Sequence, residues 1–143
     1  MEKIHRSALV EYSTEQMYRL VNDVEQYPHF VPNCKNASVI SGNEYTLSAT
    51  LEVAKNGIAK SFSTCNTMTP YKHIHIDLLN GPFKHFKGDW HFIYLADNAC
   101  KIELHLEFEF SNKLASLAFA SMFNHLAQSM VGAFTQRAKK IYG

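Results

Sequence analysis

Between Cys100 and Phe110 apolar and polar residues alternate without a break. Cys100, Ile102, Leu104, Leu106, Phe108 and Phe110 fall on one side of an extended chain, and Lys101, Glu103, His105, Glu107 and Glu109 on the other. The stretch before it keeps the same period, with Phe86, Gly88, Trp90, Phe92 and Tyr94 opposite His85, Lys87, Asp89 and His91. Earlier still, Ile74, Ile76 and Leu78 oppose His73, His75 and Asp77. Three consecutive strands therefore share one oily face and one charged face. From Ser111 to Tyr142 the period changes from two to that of a helix. At 100° per residue Phe119, Met122, Phe123, Leu126, Met130, Ala133, Phe134 and Ile141 gather on one side, while Ser121, Asn124, His125, Gln128, Thr135 and Lys139 gather on the other. A single long helix that follows many strands buries such a stripe by lying across the sheet. The expectation is an apolar hollow between the curved sheet and the helix.

The remaining elements follow from local signals. Lys3 to Glu11 alternates as a first strand. Ser13-Thr-Glu-Gln16 is a capping box that opens a helix carrying Met17, Tyr18, Leu20 and Val21, and Asp23 opens a second short helical turn. Pro28 and Pro32 forbid regular structure in Tyr27-Pro-His-Phe-Val-Pro32. Strands are predicted at Ala37 to Ile40, Tyr45 to Val53, Ile58 to Met68, His73 to Leu79, His85 to Leu95 and Cys100 to Phe110. The turns between them are Ser41-Gly-Asn43, Asn56-Gly57, Thr69-Pro70, Asn80-Gly-Pro82 and Asp97-Asn98, of which Asn-Gly is the strongest hairpin signal. The order is strand, two short helices, six strands, long helix: an α+β chain folded as one domain over residues 1–143.

Composition narrows the function. At 143 residues the chain can bury about two-thirds of its unfolded surface, and its net charge of +1 gives no general pull toward nucleic acid, so any such contact is local. Cys34, Cys65 and Cys100 are odd in number and far apart, which points to reduced thiols and a cytoplasmic address. No secretory signal opens the chain. Leu114 to Phe134 is uncharged for 21 residues, long enough for a bilayer, but Ser116, Ser121, Asn124, His125, Gln128 and Ser129 interrupt it. It reads as an amphipathic core helix, without a transmembrane span.

Candidate chemistry lies mostly on the outward face. The acids and histidines of the last three strands point away from the hollow, which offers mainly Tyr94, Thr64 and Asn66 as polar groups, with Lys60 left open because alternation does not settle its phase. No nucleophile–base pair, phosphate loop or carboxylate pair stands out, so the chain reads as a binding protein and not an enzyme. His73 and His75, two apart on one strand, with His91 and His105 on the next two, suggest a zinc site if they converge. Interleaved Glu and Lys and the lack of a cysteine partner favour a solvated sheet face with no metal. Arg137, Lys139 and Lys140 complement the C-terminal end of the helix, or contact phosphate. Lys84 and Lys87 would extend such a basic patch. Tyr27, Phe30 and Val31 either plug the edge of the core or form the mouth of a cavity, and Trp90 is either core or a wall for a flat ring.

Several of these residues carry a family resemblance. Tyr27-Pro28-x-Phe30-Val31-Pro32-x-Cys34, Gly81-Pro82-Phe83-Lys84 with Gly88-x-Trp90, Phe108-x-Phe110, and Ala133-Phe134-x-x-Arg137-Ala138 resemble the coenzyme Q-binding START-like (SRPBCC) proteins over residues 3–142, and within them the ribosome association toxin family. The resemblance implies a helix-grip fold, with a seven-stranded antiparallel sheet wrapped around the C-terminal helix. Its coenzyme Q branch implies a cavity that binds ubiquinone or another isoprenoid lipid in support of respiration, with transient membrane contact and no required cofactor. Its toxin branch implies binding to the large ribosomal subunit and a block on subunit joining. A cyclase or dehydratase activity, also named in the superfamily, fits poorly with outward-facing acids. Many coenzyme Q relatives carry Trp where this chain has Asn33, which weakens the case for membrane insertion or quinone stacking at that loop. The primary expectation is a bound hydrophobic molecule, lined by Tyr27, Phe30 and Val31 from the proline segment, Phe83 from the loop after Gly81-Pro82, Phe62, Trp90, Leu106 and Phe108 from the sheet, and Phe119, Met122, Phe123, Leu126 and Met130 from the helix.

Overall fold

The computed structural model describes residues 1–111 and 117–143. The start of the long helix as read from Ser111, and Leu114 to Ser116 of the uncharged run, fall largely outside the described residues. The chain runs β1 (Glu2–Val10), α1 (Thr14–Asn22), a short 3-10 helix (Val24–His29), β2 (Cys34–Gly42), β3 (Thr46–Lys55), β4 (Ile58–Thr69), β5 (His73–Asn80), β6 (Phe83–Ala96), β7 (Ala99–Phe110) and α2 (Leu117–Tyr142). All seven strands pair antiparallel in one sheet of order β1-β7-β6-β5-β4-β3-β2. Strands consecutive in sequence are neighbours except at β1, which returns beside β7. The architecture is the helix-grip α+β fold.

Local chemistry places the elements. Ser13 Oγ accepts the Gln16 amide at 3.1 Å and Gln16 Oε1 accepts the Ser13 amide at 2.9 Å, so both halves of the capping box form. Asn56 and Gly57 take φ of 52° and 81°, the left-handed pair a two-residue hairpin needs. The Asn43 side chain accepts the amides of Tyr45 and Thr46 and so closes the β2–β3 turn. β2 begins at Cys34, three residues before its predicted start. Asn33 turns the chain at φ 65° after Pro32, and Cys34 then pairs with Val53. Lys35 and Asn36 hide this extension from a periodicity reading, because a register shift between Cys34 and Asn36 breaks the alternation.

The apolar sheet face and the stripe of α2 meet as expected. Phe119, Met122, Phe123, Leu126, Met130 and Phe134 are all buried, joined by Ala127, Val131 and Ala138. Two members of the expected stripe depart: Ala133 is only half-buried on the flank of α2, and Ile141 is half exposed in the last turn of α2, which meets α1 where the Tyr142 hydroxyl donates to the Gln16 carbonyl at 3.0 Å. Phe83 opens β6 instead of lying in a loop, and its ring is buried against Phe62, Phe86 and Phe123. Among the described residues no helix is long and apolar enough to cross a membrane.

Candidate functional site

Two sites flank α2, one beneath it and one on its outer side. The inner one follows from the alternation of the strands. Ala49 and Leu51 of β3, Phe62, Thr64 and Asn66 of β4, Ile76 of β5, Phe86 and Trp90 of β6, and Leu104 and Leu106 of β7 face Phe123, Leu126 and Met130 of α2, and Val24 and Tyr27 of the 3-10 helix complete the lining. These residues close on a cavity of about 60 Å3. That is less than half of the apolar cavity of about 150 Å3 that admits benzene. Pockets for larger ligands run to several hundred Å3. The apolar hollow expected from the sequence is present between sheet and helix, but it is small.

Aromatic packing does the filling. Phe83 sits 5.0 Å from Phe86 and Phe123, 5.3 Å from Phe110 and 5.9 Å from Phe119, while Phe108 lies 4.9 Å from Phe123. At the other end Phe134 meets Tyr27, Phe30 and Trp90 at 5.3, 5.1 and 5.4 Å. Of the residues expected to line a ligand site, Tyr27, Phe62, Trp90, Leu106, Phe123, Leu126 and Met130 reach the cavity. Phe83, Phe108, Phe119 and Met122 are buried beside it and Val31 is buried in the proline segment, none of them in its wall. Phe30 packs on Phe134 and faces outward. Val24, Ala49, Leu51, Ile76, Phe86 and Leu104 belong to the wall and were not among the expected residues, although the alternation of β5, β6 and β7 already placed Ile76, Phe86 and Leu104 on this face.

The polar content of the cavity is slight. Thr64 Oγ1 donates to Asn66 Oδ1 at 3.3 Å. Tyr27 donates its hydroxyl to the Val21 carbonyl, and burial pushes its phenol far above the ordinary value, which keeps it protonated and useless as a base. Tyr94, expected on this face, and Lys60, a candidate for it, are exposed. Their strand phase is inward, yet neither side chain is buried, and Tyr94 donates its hydroxyl to Asp97 at 2.8 Å. Among the described residues the cavity wall holds no acid–base pair.

The outer site is a groove of about 380 Å3 between the proline segment and the outer flank of α2. His29, Phe30 and Pro32 form one bank; Ser129, Gly132, Ala133, Gln136, Arg137 and Lys140 form the other. Asn33 fastens the segment, its side-chain amide donating to the Met122 carbonyl at 3.1 Å. The Arg137 guanidinium lies 5.0 Å over the Phe30 ring, a cation–π contact that holds the charge at the lip. A second groove shares Phe30 and Arg137 and runs on past Arg19, Leu20 and Tyr142. Arg19 is tied to Glu15 at 2.7 Å. Among the described residues neither Arg137 nor Lys140 pairs with a carboxylate. Lys87 does not extend this patch, since it pairs with Glu107 at 3.3 Å on the far face of the sheet.

Comparison with known proteins bears on both sites. The profile of the polyketide cyclase / dehydrase and lipid transport family matches residues 10–135. The chain is 50% identical over 143 residues to the ribosome association toxin RatA of Vibrio cholerae serotype O1, covering 100% of this chain and 99% of that one. It is 29% identical over 141 residues to the mitochondrial coenzyme Q-binding protein COQ10 homolog B of Xenopus laevis, covering 96% of this chain and 58% of that one. Among solved structures it is similar in fold to the ZhuI aromatase/cyclase of Streptomyces sp. R1128, with a TM-score of 0.83 at 13% identity, covering 99% of this chain and 96% of that one.

Proposed function

The chain belongs to the ribosome association toxin RatA family, within the polyketide cyclase / dehydrase and lipid transport family, and from that premise we propose that it is a non-enzymatic inhibitor of translation initiation. It binds the large ribosomal subunit in the cytoplasm and keeps the small subunit from joining. The observation that carries this reading is the contrast between the two sites: the interior cavity is about 60 Å3, whereas the outer groove of about 380 Å3 carries Arg137 and Lys140, which pair with no carboxylate among the described residues. A ribosomal surface is largely phosphate, and Arg with Lys over an aromatic side chain suits a phosphate beside an unstacked base. The low net charge then confines affinity to this edge of the molecule.

The test is a sucrose-gradient profile of purified subunits with added protein. The wild-type chain leaves subunits free under conditions that otherwise join them. Arg137→Glu combined with Lys140→Glu restores joining while the far-UV circular dichroism stays native. Unchanged joining at excess wild-type protein overturns the reading.

A second reading, a small hydrophobic molecule in the interior, is favoured by the cavity's apolar wall with Thr64 and Asn66 as its polar corner, and by the likeness to a coenzyme Q-binding protein. A ubiquinone head would require α2 to move outward, because the resident volume falls well short of what a six-membered ring needs.

A further inference from the structure

The face of the sheet turned away from α2 carries a continuous row of imidazoles. His73 stacks on His91 at 4.6 Å with planes 6° apart, His91 meets His105 at 6.0 Å, and His105 stacks on His5 at 4.1 Å. The antiparallel register sets His73 opposite His91 and His75 opposite Asp89. We propose that His73, His75 and Asp89 form a binding site for a divalent transition-metal ion of the zinc type.

Asp89 Oδ1 lies 2.7 Å from His73 Nε2 and 2.8 Å from His75 Nδ1, and the three donor atoms all lie within 4.8 Å of one another. A tetrahedral ion about 2.1 Å from each ligand holds its donors roughly 3.4 Å apart, so small side-chain rotations open this triangle to the required size. Two imidazole nitrogens and one carboxylate oxygen select zinc, cobalt, nickel or copper over calcium or magnesium. The supporting contacts are also in place. The free Nε2 of His75 faces Asp77 Oδ1 at 3.2 Å, the carboxylate partner that fixes the tautomer of a ligating histidine. The stack on His91 fixes the plane of the His73 ring. Both histidines sit on one strand and the aspartate on the next, so rigid backbone sets the spacing. Each of the three side chains keeps about a third of its surface exposed, which leaves the fourth coordination position to water or to a ligand from outside. The neighbouring His5, Glu103 and His105 make a looser cluster, with Glu103 3.9 Å from His105, and serve as an internal comparison.

The experiment is calorimetric titration of Zn2+ into the untagged, chelator-stripped chain near neutral pH, with Co2+ absorption as a second readout of coordination. The expected result is one tight Zn2+ per chain and a cobalt spectrum of low coordination number. His75→Ala and Asp89→Asn each weaken that site by more than about 100-fold, the upper range for loss of an outer-shell partner alone. Glu103→Gln leaves it unchanged. All three positions lie at the surface, and native circular dichroism of each variant separates lost binding from lost fold. No tight Zn2+ in the wild-type chain, retention of the tight site in both His75→Ala and Asp89→Asn, or its loss in Glu103→Gln each overturns the proposal.

Discussion

Cys34 and Cys100 are buried in the core, and burial pushes both thiols up to about 11. A group whose folded pKa is raised holds its full contribution to stability below its unfolded pKa and loses it as pH climbs toward the folded value. For these thiols that window runs from about pH 9 to about pH 11. Unfolding by urea should therefore show a loss on the order of 2 kcal/mol for each thiol between the two ends, with a flatter slope in a Cys34→Ala, Cys100→Ala double variant. A pH dependence unchanged by that double variant would assign the alkaline loss to tyrosines such as the buried Tyr27. Single residues also mark where sequence reading fails. Periodicity gives the direction of a side chain along a strand, yet Lys60 and Tyr94 share the inward phase and are still exposed, because direction alone does not fix burial.

At the scale of elements the hydrophobic pattern carried far. Each strand of the sheet, the helix start that Ser13 announces, and the buried stripe of α2 follow from alternation, caps and turns, whereas Asp23 makes no side-chain cap and the 3-10 helix runs through Tyr27, Pro28 and His29, where no regular structure was expected. What stayed hidden depends on contacts between distant segments. β2 begins early because Asn33 turns the chain at positive φ and β3 supplies its partner, neither of which local alternation records. The groove depends on Phe30 meeting α2 across a hundred residues, and only Gly132 hints at it from within the helix. Glycine in a helix interior costs about 1 kcal/mol against alanine, and a Cβ at 132 would meet nothing within 4 Å. Gly132→Ala should thus raise the unfolding free energy by roughly 0.5–1 kcal/mol in urea. A loss of stability instead would mean that the groove is narrower in solution.

Taken whole, the molecule sets a tightly packed interior between two candidate surfaces on opposite sides. Ala49 tests that division, because it is buried, sits on β3 and borders the cavity. Ala49→Val adds two carbons to a space of about 60 Å3, in a strand that favours branched residues. Each buried methyl contributes about 0.8 kcal/mol, so the variant should be unchanged or more stable by up to roughly 1.5 kcal/mol in urea. If function lies on the outer groove, the filled variant still keeps ribosomal subunits apart in the gradient assay, at the same protein concentration as wild type. If a ligand must enter the core, the variant folds normally yet loses that effect, since the remaining space holds nothing larger than water. Stability and subunit joining measured on this one protein thus separate a core that only holds the fold from a core that takes part in function, and the filled cavity predicts the former.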